Sequence, residues 1–206
     1  MHLEILVEEP SAKFALEILL PKIIGINITF RIIEFQGKQD LLTKLPNRMR
    51  GYARWLPANY RIVVLIDEDR QNCHQLKQQL ETAALMAGLI TKTNVTPGHT
   101  FQVLNRIAVE ELEAWFWGDF EALRLAYPRL PVSLPHRQAY RNSDAVGGGT
   151  AEALERELQR AGYHKTGLAK IQAARDIAPH MDPQQNRSKS FQIFCEGLRS
   201  LIAEDN

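Results

Sequence analysis

Arg61-Ile62-Val63-Val64-Leu65-Ile66-Asp67-Glu68-Asp69-Arg70 changes character at the bond between Ile66 and Asp67. The five residues before that bond are apolar without interruption, and four of them are β-branched. A run with no alternation of period two needs cover on both faces, which is the situation of a strand inside a parallel sheet. The four residues after the bond are all charged, so the strand ends there. In open sheets of this kind, ligands bind beyond the carboxyl ends of the strands.

Upstream, residues 3–7 read as a short buried strand, and Glu8-Glu9-Pro10-Ser11 as a polar turn in which Ser11 caps a helix carrying Phe14, Leu16, Ile18, Leu19 and Ile23. Residues 26–35 are β-branched and aromatic enough for a second strand, broken by Gln36-Gly37-Lys38. A helix over 40–55 exposes Lys44, Arg48, Arg50 and Arg54, and Pro46 is expected to kink or divide it. Downstream, a helix over 71–87, a loop at Gly88, a strand over 100–105 and a helix over 109–117 complete the alternation.

The pattern predicts an α/β fold, a mostly parallel central sheet flanked by helices, over residues 1–127. Residues 128–206 carry Pro128, Pro131, Pro135 and Gly147-Gly148-Gly149, then helical patterns over 151–161, 167–177 and 190–203, with Ser188 or Ser190 as N-cap of the last. They are expected to pack on the core as a helical C-terminal extension.

At 45% hydrophobic and 24% charged residues, the composition excludes disordered, collagen-like and coiled-coil classes. A net charge of +1 gives no global field toward nucleic acid or anionic lipid, so any basic surface has to be a local patch. Cys73 and Cys195 form no metal spacing and read as free thiols of a reducing compartment. The first ten residues lack the basic segment of a secretory signal, and no apolar run approaches the roughly 18 residues of a membrane span. A cytoplasmic protein without a membrane partner is expected.

Three acidic groups carry the chemistry. Asp67 and Asp69 stand one residue apart, so in extended backbone both carboxylates project to one side and can share a cation. Oxygen ligands without nearby His or Cys suit Mg²⁺ or Mn²⁺ rather than zinc. Glu8 ends the first strand and reaches the same sheet edge if the two strands are parallel neighbours. Glu110, Glu111 and Glu113 open the later helix, where Glu110 and Glu113 share a face at i, i+3 and Leu112, Trp115 and Phe116 hold that helix against the core. The helix dipole alone also accounts for acids at such a start, and a solvated loop for Asp67 and Asp69. Lys38, Arg48, Arg50, Arg54 and Arg70 can line the rim and meet phosphates. The glycine triplet lacks the context of a P-loop, and the six histidines lack ligand spacing.

Val7-Glu8-Glu9-Pro10-Ser11, Leu65-Ile66-Asp67-Glu68-Asp69-Arg70 and Glu110-Glu111-Leu112-Glu113-Ala114-Trp115 resemble the Toprim-like family listed as domain of unknown function 4276. Phe35-Gln36-Gly37-Lys38 and Asn186-Arg187-Ser188-Lys189-Ser190-Phe191 are similar to it as well, so the resemblance spans the chain. It implies a compact Rossmann-like sheet, related to the Toprim domains of overcoming-lysogenization-defect nucleases, with a first-strand glutamate and an Asp-x-Asp pair around Mg²⁺.

Carried over, Glu8 becomes the acid/base or metal-linked glutamate, Asp67 and Asp69 the Asp-x-Asp pair, and Glu110 or Glu113 a further ligand. Of the rim cations, Lys38 and Arg70 are the ones expected from their charge to contact phosphate. The chain departs from the pattern at Glu9, where related nucleases commonly have glycine, and at Ala12, where a second acid is frequent. The resemblance further implies an AAA-type ATPase partner in a bacterial defence-like gene pair. The expected function is therefore Mg²⁺-dependent nucleic-acid cleavage, with a homodimer among the expected assemblies. The alternatives are a non-catalytic ATPase partner with a degenerate metal site and a small-molecule phosphohydrolase.

Overall fold

The computed structural model describes residues 1–69 and 71–203. Four parallel strands, β1 (His2–Val7), β2 (Thr29–Glu34), β3 (Tyr60–Asp67) and β4 (Val103–Ala108), form one sheet in the order β2-β1-β3-β4. In register, Val7 pairs with Leu65 across β1 and β3, and Asp67 with Ala108 across β3 and β4. The expected α/β sheet is present, its two most apolar strands at the centre.

Side chains alternate across the sheet, as period two requires. Leu3, Ile5 and Val7 of β1, with Val63 and Leu65 of β3, enter one core; Leu6, Ile62, Val64 and Ile66 enter another on the opposite face. The second core is closed by α2 (Lys38–Trp55) and α3 (Cys73–Leu85). The first is closed by α1 (Pro10–Ile24) together with α4 (Glu113–Gly118), α5 (Phe120–Ala126), α6 (Thr150–Arg160), α7 (Lys170–Ile177) and α8 (Lys189–Ala203). Residues beyond 128 thus share one continuous core with β1, β3 and α1. Trp115 is its hub: it packs on Phe191 and Phe194, and its indole N–H donates to Ser190 at 3.0 Å.

Several expectations are corrected. Helix α2 runs unbroken through Pro46. Helix α1 starts at Pro10, and Ser11 is buried in its first turn with its hydroxyl donating to Glu9, so it is not the cap. The second strand begins at Thr29, with Ile26 87% exposed before it. The fourth lies at 103–108 rather than 100–105, because only from Val103 onward does the chain pair in register with β3. Asp119 caps α5 through the Ala122 amide, and Ser188, the first of its two candidates, accepts the Phe191 amide at the start of α8. Among the described residues, no helix is long and apolar enough to cross a membrane.

Candidate carboxylate centre

The strand order reverses between β1 and β3: from β1 the chain crosses to β2 on one side, and β3 and β4 lie on the other. Helices leave to opposite faces at such a point and open a crevice at the carboxyl ends of the two strands. Glu8 and Asp67 are the residues that emerge there. Their parity separates them: Asp67 continues the Val63 and Leu65 side, toward α7, whereas Glu8 continues the Leu6 side, toward α2.

Glu8, Asp67 and Glu113 are 7%, 5% and 1% exposed. Burial raises the Asp67 carboxyl well above its ordinary range, and the charges of Glu8 and Glu113 add to it. Burial also raises Glu8, against the pull of the Lys38 ammonium. Glu113 is pushed up to about 7 by burial, with Lys170 pulling it down. One oxygen of Glu8 and both of Glu113 are buried without a hydrogen-bond partner. Three buried acids are therefore crowded together, and three oxygens of Glu8 and Glu113 have no protein donor, an arrangement costly to maintain for structure alone.

Two lysines bracket the acids, one from each layer. Lys38, first residue of α2, donates to the Glu68 carbonyl at 3.1 Å and pairs with Asp69. Lys170, first residue of α7, has its ammonium 3.4 Å from Glu111, 3.6 Å from Glu113 and 3.9 Å from Glu9. Burial disfavours its charge, but Glu113, Glu9, Glu111 and Asp67 outweigh that effect and hold its pKa above the usual range. Lys170 is the residue that sequence reasoning missed. Its signal was a local rule broken: an ammonium in the first turn of a helix opposes the helix dipole.

Asp69 does not join Asp67 as the spacing predicts. Its backbone turns to φ +52°, its amide donates to the Glu110 carbonyl at 2.6 Å, and its half-exposed carboxylate goes to Lys38. The expected helix from residue 109 fails for the same reason. Glu110, at φ +57°, is drawn into this pairing of loops; its amide donates to the Glu68 carboxylate at 3.2 Å, and α4 starts only at Glu113. Glu110 and Glu113 therefore share no helical face. Glu113 faces Asp67, Glu111 joins Lys170 to the Ala151 amide at the start of α6, and Glu110 lines a separate cavity of about 460 Å³ with Asp69, Gln71 and Glu152. Arg70 lies outside the described residues.

The donor chemistry fits a hard divalent cation: oxygen ligands only, excess negative charge and unsatisfied buried oxygens. Among the described residues no three acidic, His or Cys side chains already close on a common point. Mg²⁺ does not require that, since it keeps several waters and binds through one or two carboxylates together with substrate phosphate.

A model of the family described as Domain of unknown function (DUF4276) matches residues 7–199. No curated protein and no solved structure gives a significant match.

Proposed function

The chain belongs to the DUF4276 family, and we propose that it is a Mg²⁺- or Mn²⁺-dependent enzyme of the Toprim type that cleaves phosphodiester bonds in nucleic acid. The observation that carries this reading is the convergence of buried Glu8, Asp67 and Glu113, with unpartnered oxygens on Glu8 and Glu113, at the strand-order reversal between β1 and β3.

Asp67 with Glu8 or Glu113 would hold the ion, which when bound would polarise a phosphate and make bound water more acidic. Glu8, whose affinity for a proton is raised toward neutrality by burial, is suited to take a proton from the attacking water. Lys38 and Lys170 supply fixed positive charge on the two sides of the crevice, where a phosphate gains charge as it is attacked. Glu9 and Ala12 leave the centre with a different acid set from the family pattern, since Glu9 pairs with Lys170 and Ala12 is buried in α1.

A second reading has one observation in its favour. The ion pairs of Lys170 with Glu9, Glu111 and Glu113 partly neutralise the cluster from within, as a purely structural site would require. Cleavage of plasmid and single-stranded DNA and of RNA with Mg²⁺ or Mn²⁺ separates the two, run with and without any AAA-type ATPase encoded alongside. Cleavage by the wild type that disappears in Asp67→Asn is expected. Absence of cleavage on every substrate, with the ATPase present, rejects the enzyme and leaves the structural cluster.

A further inference from the structure

The carboxyls around Asp67 divide by partner. Glu9, the residue before α1, Glu111, in the loop before α4, and Glu113, the first residue of α4, gather on the Lys170 ammonium at 3.9, 3.4 and 3.6 Å. Two of the three are also fixed from outside. Glu9 accepts from the Ser11 hydroxyl, and Glu111 from the Thr150 hydroxyl and the Ala151 amide. Glu8 and Asp67 are left over: Lys38 goes to Asp69 and the Glu68 carbonyl, and neither lysine forms an ion pair with Glu8 or Asp67.

An ammonium has three protons to give and no capacity to accept. Acids from separate segments around one positive charge are the donor arrangement of an oxygen-ligand cation site, here with a tethered ammonium in place of an ion. A divalent ion entering among Glu9, Glu111 and Glu113 would meet that ammonium at close range, and like charges repel. The Glu8 and Asp67 side is not so filled, and Glu8 keeps a buried oxygen there without a partner.

We infer that Lys170 is a tethered counter-cation that fills one of two cation positions in the centre, so that the chain takes a single divalent ion, on Glu8 and Asp67. The inference rests on the metal-dependent reading of the centre, which it narrows by removing Glu113 from the ligand set. Its test counts ions rather than turnover.

Mn²⁺ binding to the metal-stripped full chain is counted near pH 8 from the electron paramagnetic resonance signal of free Mn²⁺. The wild type is expected to take one ion and Lys170→Met two; Lys170→Arg, which keeps the charge, should take one. Glu111→Gln should leave the affinity within about threefold of wild type, whereas Glu8→Gln and Asp67→Asn should weaken it at least roughly tenfold, since ligand charge sets affinity at such sites. These last three variants keep Lys170 and decide the matter even if circular dichroism shows Lys170→Met unfolded. Two ions in the wild type, a single ion in folded Lys170→Met, or equal losses from Glu111→Gln and Asp67→Asn overturns the inference and leaves metal-dependent cleavage intact. The expected ion counts with no cleavage of any nucleic acid do the reverse, and no ion in any of these proteins rejects both.

Discussion

Lys170 Nζ lies 3.6 Å from Oε1 of Glu113, a carboxylate 1% exposed, across 57 residues of sequence. The pair joins the start of α7 to the start of α4 and places one ammonium among acids that otherwise repel one another. Removing one member of a pair with a buried partner leaves an uncompensated charge. Lys170→Met is expected to cost roughly 2–3 kcal/mol in urea unfolding near pH 8. Below about pH 5 the gap between variant and wild type should narrow, because the raised carboxyls of Glu113 and Asp67 are then protonated.

The raised carboxyls set the pH dependence of stability. Glu113 has an ordinary value of 4.5 and is held at about 7 in the folded chain. Between those values the folded state binds more protons than the unfolded one, so stability falls as pH rises through that window. Glu8 and Asp67 are displaced in the same direction and add to the trend. Thermal midpoints should drop by a few degrees from pH 5 to pH 8, and Mg²⁺ or Mn²⁺ should restore more at pH 8 than at pH 5. A midpoint that rises steadily over this range contradicts the cluster as described.

Function and stability should move in opposite directions at Asp67. Asn keeps the shape of the side chain and removes one of several like charges, so Asp67→Asn is expected to stabilise the metal-free protein by about 1 kcal/mol at pH 8. The same variant should lose roughly a hundredfold or more in cleavage rate. Paired denaturation and turnover measurements test the opposition directly.

Two glycines give contrasting outcomes. A Cβ on Gly118 would lie 2.1 Å from Asn186 Oδ1 and 2.7 Å from the Ser188 amide nitrogen. Asn186 also donates to the Trp115 carbonyl at 2.7 Å, so it has little freedom to move. Gly118→Ala should destabilise by about 2–3 kcal/mol. Gly51 sits inside α2 with open space where its Cβ would be, and Gly51→Ala should stabilise by about 0.5–1 kcal/mol.

The two cysteines differ in their access to solvent. Cys195 is 1% exposed, and burial pushes its thiol up to about 12. A thiol reagent at pH 8 should leave it untouched in the folded protein and modify it in denaturant, whereas half-buried Cys73 should react more readily.

What could be read from sequence follows the range of the interactions involved. Strand β3 and the convergence of Glu8 with Asp67 were legible, since an apolar run and an acid at its end are local patterns and parallel neighbours bring such ends together. The turn of Asp69 was not, because its φ of +52° is tied to a hydrogen bond with Glu110, 41 residues away. The start of α4 was misplaced for that same bond: local propensity favours helix from residue 109, and the loop pairing overrides it. Lys170 shares no pattern with the acids it meets, and only the packing of α7 brings it there.

The distance along the chain between Asp67 and Lys170 also orders events in time. At translation rates of about 5–20 residues per second, the ribosome needs roughly 5–20 seconds to make the 103 residues from Glu68 to Lys170. During that interval the strands bearing Glu8 and Asp67 and the Lys38 ammonium have been made, but the Lys170 counter-charge has not. A nascent chain halted before α7 would hold the acids without the Lys170 ammonium and without α8, which packs on Trp115. Completion of the centre is thus a late step in biosynthesis, and an interrupted chain is an unfinished cluster rather than a smaller one.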